Sequence, residues 1–153
     1  MNVSKTYLLE DIKKEELPKD IGIYAWIEKE SNSIVYIGTA TSKYGLYQRI
    51  WNQHLNPNYL ETRKHVISEQ DIYQIENPIY HNGKLAIDKS SFRRKLARRY
   101  LLLAGHESVE FIKKHFSLSI CIYPPDEREK VVHRGKMLIN THQPFYNGRF
   151  QTI

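Results

Sequence analysis

With 153 residues, 41% of them apolar, the chain suits a single core, and it has no 18-residue apolar run and no leader-like start. Those features predict a soluble, intracellular (cytoplasmic) domain rather than a secreted or membrane-spanning one. A formal charge of +6 favours a polyanionic partner, the one cysteine excludes an internal disulfide, and the seven histidines have no cysteine partner at zinc-ligand spacing.

The first twenty residues are acidic and lysine-rich, and Leu17-Pro18 predicts the end of a short helix or arm packed on a sheet edge. Residues 21–27 and 34–39 are apolar runs rich in β-formers on either side of Lys29-Glu30-Ser31-Asn32-Ser33, which predicts an antiparallel hairpin. Alternation puts Gly22, Tyr24, Trp26 and Glu28 on one face and Ile21, Ile23, Ala25 and Ile27 on the other. Any even register then brings Tyr36 and Gly38 to the face of Tyr24. Two phenols on one face, flanked by glycines that permit a close approach, form a candidate site, although tyrosines also favour strands for packing alone. A polar loop containing Lys43 leads to a predicted helix over 46–55, where Tyr47, Ile50, Trp51 and His54 follow helical spacing and Arg49 lies in the first turns.

Residues 56–116 separate that helix from the next strand. Within them, 59–75 is mixed and polar, and 78–87 predicts a loop or short hairpin with Asn82-Gly83 at its tip. Lys89, Arg93, Arg94, Lys95, Arg98 and Arg99 then fall within eleven residues that contain no acid. Ser90 or Ser91 would cap a helix there, with Phe92, Leu96, Tyr100 and Leu103 as its apolar stripe. Such a helix either lies along a phosphate backbone or is a solvated amphipathic cover for the core. Gly105-His106 divides it from 107–115. A third strand is predicted over 117–123, with Cys121 as a small buried hydrophobe, and after Pro124-Pro125 a closing helix over 126–141.

The ordered set Gly22-Ile23-Tyr24, Tyr36-Ile37-Gly38, Arg49 and, after Leu138-Ile139, Pro144-Phe145-Tyr146-Asn147 resembles the GIY-YIG nuclease family over residues 21–55 and about 117–148. The resemblance implies an α+β fold: a small three-stranded antiparallel sheet flanked by helices. Residues 1–153 would form one domain, with a basic helical insertion, 56–116, for substrate recognition. It implies an endonuclease that hydrolyses DNA phosphodiester bonds with one Mg²⁺ or Mn²⁺. Tyr24 would activate the water or order its proton path, Tyr36 would hold the phosphate or assist that transfer, and Arg49 would stabilise transition-state charge. Lys43 would add to the positive field, His54 would transfer protons, and the Asn147 amide would fix the chain by hydrogen bonds. Substrate contacts would fall to Gly38, Lys43, Lys89, Arg93, Arg94, Arg98 and Arg99.

Two departures stand out. The corresponding family histidine falls four residues after the arginine, whereas His54 is five after Arg49. The family's metal-binding glutamate falls twelve residues before the terminal asparagine, where this chain has Gly135, and Glu127 and Glu129 lie about two turns upstream. Either a glutamate has been replaced in an inactivated variant, or the protein kept binding and lost cleavage. A protein-interaction domain whose basic helix meets an acidic partner is a further reading, which leaves the motif pair unexplained.

Overall fold

The N-terminal segment, predicted as a helix or arm, forms a strand at Val3–Leu8 (β1) and a 3₁₀ turn at Lys14–Glu16. These come from a computed structural model that describes residues 3–63 and 77–148. Alternation places Tyr7 in the core and leaves Leu8 exposed. The hairpin forms as predicted from Gly22–Glu28 (β2) and Ser33–Ala40 (β3). Helix Gly45–Arg49 (α1) then runs directly into a π-helical turn at Ile50–His54.

The insertion is not only helical. Leu60–Arg63 (β4), Tyr80–His81 (β5) and Lys84–Asp88 (β6) pair in the order β4-β6-β5, all antiparallel. The tip between β5 and β6 is Asn82-Gly83, as the sequence predicted, and both residues take positive φ. Of the mixed segment 59–75, residues 64–75 lie outside the described residues. Two helices follow, Ser91–Tyr100 (α2) and His106–His115 (α3), and Ser90 caps α2 by accepting a hydrogen bond from the Arg93 amide at 3.2 Å. Strand Phe116–Ile122 (β7) and helix Arg128–His142 (α4) complete the core, and a 3₁₀ turn at Phe145–Asn147 ends the described chain.

Among the described residues the fold is α+β, with antiparallel sheets and four α-helices. Its main sheet has four strands in the order β1-β7-β2-β3 where three were predicted, because β1 adds to the otherwise open side of β7. One face of this sheet carries Tyr24, Trp26, Leu118 and Ile120, and packs on α1, the π-helical turn and α2 through Leu46, Ile50, Phe92 and Leu96. The other face carries Ile23, Ile37 and half-buried Cys121, and packs on α4 through Val131, Leu138 and Ile139. Among the described residues no helix is long and apolar enough to cross a membrane.

Candidate active site

Tyr24 lies opposite Gly38 in the β2–β3 register, and Tyr36 lies opposite Trp26, so both phenols share the face that packs on α1 and α2. Their ring centroids are 6.3 Å apart. Gly38 is required by this arrangement: a Cβ there would stand 2.2 Å from Cζ and the hydroxyl oxygen of Tyr24. The Tyr24 ring therefore lies across the bare backbone of β3. Tyr36 is partly buried and stacks on Phe92 of α2, with centroids 5.1 Å apart and planes inclined by 29°.

Behind the phenols sits a buried polar chain. The Tyr24 hydroxyl is 2.6 Å from Nε2 of His54, and Nδ1 of His54 is 2.8 Å from Oγ of Ser90. Burial, reinforced by the positive charges of Arg49 and Arg93, pushes the His54 pKa down to about 3, so the imidazole is neutral near pH 7. One ring nitrogen then donates and the other accepts. Ser90 Oγ already accepts from the Arg93 amide, and a hydroxyl oxygen has a second acceptor site. With Nδ1 protonated the ring donates to Ser90 and accepts from the Tyr24 hydroxyl; with Nε2 protonated both bonds run the other way. Burial, and then the nearby Tyr36 hydroxyl, hold Tyr24 well above the ordinary phenol range; the Arg49 guanidinium acts in the opposite direction.

Arg49 stands beside both phenols. Its Nη1 donates to Gln53 Oε1 at 3.0 Å, while its buried Nε finds no hydrogen-bond partner among the described residues. The spacing from Arg49 to His54 has a structural cause. Five residues of ordinary α-helix rotate a side chain about 140° away from the first one's face. In the widened turn Leu55 N bonds Ile50 O at 2.8 Å, an i→i+5 link that absorbs the additional residue.

Asn147 comes from far along the chain to the same strand. Its Oδ1 accepts from Ile37 N at 2.7 Å and its Nδ2 donates to Ile37 O at 2.8 Å. Ile37 is on the outer strand β3, so the side-chain amide occupies the positions a neighbouring strand would take. The amide thus fixes the chain, as predicted.

The basic residues separate into three groups. Arg93, predicted to meet substrate, is fully buried: Nη2 pairs with Asp88 Oδ1 at 2.5 Å, Nη1 donates to Gln53 O at 2.9 Å and Asn56 O at 2.6 Å, and Nε donates to Ser108 Oγ at 3.2 Å. It ties the π-helical turn and the residues after it to β6 and α3, because a guanidinium can satisfy several buried acceptors at once. Its signal in the sequence was Asp88, immediately before the acid-free cluster. Arg94, Lys95 and Arg98 line a cleft of about 500 Å³ with Ser91, Asn147 and Gly148. Lys43 and Lys89 are exposed and lie over tyrosine rings, 5.5 Å from Tyr44 and 5.3 Å from Tyr59, so Lys43 is directed to Tyr44 instead of Tyr24. Arg99 stands 4.6 Å from the Phe145 ring. Sequence reasoning missed Ser90 as the second partner of His54, since only the fold brings residues 36 positions apart together.

The metal position needs correction. Gly135 faces Thr39, which projects from the face of β3 opposite Tyr36 and Gly38, and a Cβ at 135 would lie 2.4 Å from Thr39 Cγ2. Glycine is there because α4 and β3 approach closely, so position 135 does not present a ligand to the phenols. Among the described residues no group of three or more His, Cys, Asp or Glu is arranged to hold a metal ion, and both His54 nitrogens are engaged. Position 135, where the resemblance implies a glutamate ligand, thus holds a glycine that faces Thr39 on the other side of β3. Comparisons with protein-family models, with curated proteins and with solved structures found no match.

Proposed function

We propose that the chain is an endonuclease that hydrolyses phosphodiester bonds of DNA. The observation carrying this reading is the juxtaposition of Arg49 with two phenols, one of which is hydrogen-bonded into the His54–Ser90 chain. Arg49 and Tyr36 are the partly buried members and are the groups that meet the phosphate: the guanidinium offsets its charge and the phenol donates to a non-bridging oxygen. Tyr24 and His54 are buried behind them and brace that face through their hydrogen bond, and the proton of the attacking water leaves to bulk water. No step here is assigned to a cation.

A second reading, binding without cleavage, is favoured by the complete burial of Tyr24. Plasmid nicking with Mg²⁺, with Mn²⁺ and with a chelator separates the two. Nicking by the native chain should fall at least about a hundredfold in Arg49→Ala, the loss that removal of one charge-stabilising donor brings. A native chain that binds DNA and cuts no duplex, branched or single-stranded substrate in any arm is a binding module.

A further inference from the structure

The face of α2 offers more than charge. Ser91, Arg94, Lys95 and Arg98 recur at helical spacing along one side of the cleft, covering about 10 Å of the helix axis, and Asn147 and Gly148 form its other side. Among the described residues no carboxylate lines it, although Glu61 pairs with Arg94 at 3.9 Å. Lys95 is fixed there by donating to Tyr146 O at 2.8 Å and Gly148 O at 2.6 Å.

Past Arg98, the end of α2 and the 3₁₀ turn before Gly148 carry two exposed aromatic rings, and Tyr100 also lines a separate hollow with Glu28 and Glu30. Tyr100 and Phe145 remain 40% and 45% exposed, although each is a ring that packing would normally cover. Arg99 stands over both, 5.4 Å and 4.6 Å from their centroids. The rings are supported from behind, since Tyr100 packs on Phe111 at 4.7 Å and Phe145 meets buried Tyr146 edge-on at 4.9 Å. A planar ligand landing here orders little that is not already ordered.

We infer that the cleft and this aromatic shelf form a track for single-stranded nucleic acid, with phosphates along Arg94 and Arg98 and an unpaired base on the shelf of Tyr100, Arg99 and Phe145. The inference rests on the nucleic-acid reading proposed above. A π-face beside a guanidinium stacks any base, whatever the sequence, but only a base free of its own stack. Duplex DNA can use the cleft but not the shelf, and an acidic polypeptide can use the cations without needing the rings. The track also leads to the site: Asn147 is hydrogen-bonded to Ile37, next to Tyr36, whose ring stacks on Phe92 of the same α2.

Fluorescence anisotropy on the full chain tests this with a labelled single strand, the same sequence as duplex, and polyglutamate. The single strand should bind more tightly than the duplex. Phe145→Ala should weaken single-strand binding about fivefold or more, as loss of one base–aromatic stack does, and leave duplex binding within about twofold. Phe145→Leu and Tyr100→Leu, which keep apolar bulk and remove the π-face, should behave alike if the alanine variant unfolds. Arg94→Glu with Arg98→Glu should weaken both nucleic acids and flatten their salt dependence. Equal affinity for single strand and duplex, or single-strand affinity untouched by Phe145→Leu and Tyr100→Leu, overturns the track while leaving the nuclease reading standing. Preference for polyglutamate, or no binding to either nucleic acid, overturns both.

Discussion

The ring of Tyr24 occupies the space that a side chain at position 38 would need, so the tyrosine of the first strand and the glycine of the second form one steric unit. Gly38→Ala should cost about 1–3 kcal/mol, the usual penalty for overpacking. The clashing atoms are the far end of the phenol, so Tyr24→Leu should relieve most of that cost. A double-mutant cycle by urea denaturation measures the coupling, and additive effects would show that the two residues do not share the space.

Gly135 gives a similar pair with Thr39 on the opposite face of the sheet. Gly135→Ala gains roughly 1 kcal/mol of helix propensity but drives a methyl into Thr39 Cγ2, and should be destabilising overall. Thr39→Ser, which lacks that methyl, should restore stability in the alanine background. Gly135→Glu should melt at a lower temperature than the native chain and gain no Mg²⁺-dependent nicking, because its carboxylate would be on the wrong side of β3. Recovery of metal-dependent cutting by that variant would reinstate position 135 as a ligand site.

His54 makes the fold sensitive to acid. Its pKa is about 3 when folded and 6.5 when unfolded, so between these values the unfolded chain binds a proton that the folded chain refuses. The stability it contributes is complete above pH 6.5 and falls by about 1.4 kcal/mol per pH unit as the pH drops toward 3. In urea titrations at pH 7, 6, 5 and 4, the stability gap between the native chain and His54→Gln should narrow on acidification. Parallel curves would mean that His54 takes up its proton within the folded state.

Arg93 and Arg94 are sequence neighbours with opposite roles. Arg93→Met leaves Asp88 buried without its charge partner and should cost about 3–5 kcal/mol. Arg94→Met loses only a loose pair with Glu61, 3.9 Å apart and partly solvated, and should cost at most about 1 kcal/mol. Chemical denaturation of the two variants distinguishes them, and similar losses would contradict the buried network.

The hairpin and the shared face of Tyr24 and Tyr36 were legible because a strand's two-residue alternation is rigid: once the strands exist, parity decides the face. The four-strand count was not, since residues 3–8 become a strand by pairing with β7, more than a hundred positions away. The π-turn was equally hidden, because the departure from α-geometry is one residue in a segment whose apolar spacing fits an ordinary helix. Arg93 was misplaced because a helical wheel shows which residues share a side and not whether a buried acceptor waits there. Gly135 looked like a missing ligand because counting along a helix gives a distance from Asn147 but does not give the face of the sheet on which the helix lies.

The Asn147–Ile37 clasp joins residues 110 positions apart, which bears on how the protein is made. During synthesis the β2–β3 hairpin leaves the ribosome long before the residues that cover it. Until α2 arrives, Trp26 and Tyr36 lack Phe92. Until position 147 arrives, the outer edge of β3 has a free amide and carbonyl at Ile37, a template for pairing with another chain. The nascent protein is therefore most exposed to misassembly between the emergence of residue 40 and that of residue 147, and a chain stalled or clipped before Asn147 should be the form that aggregates.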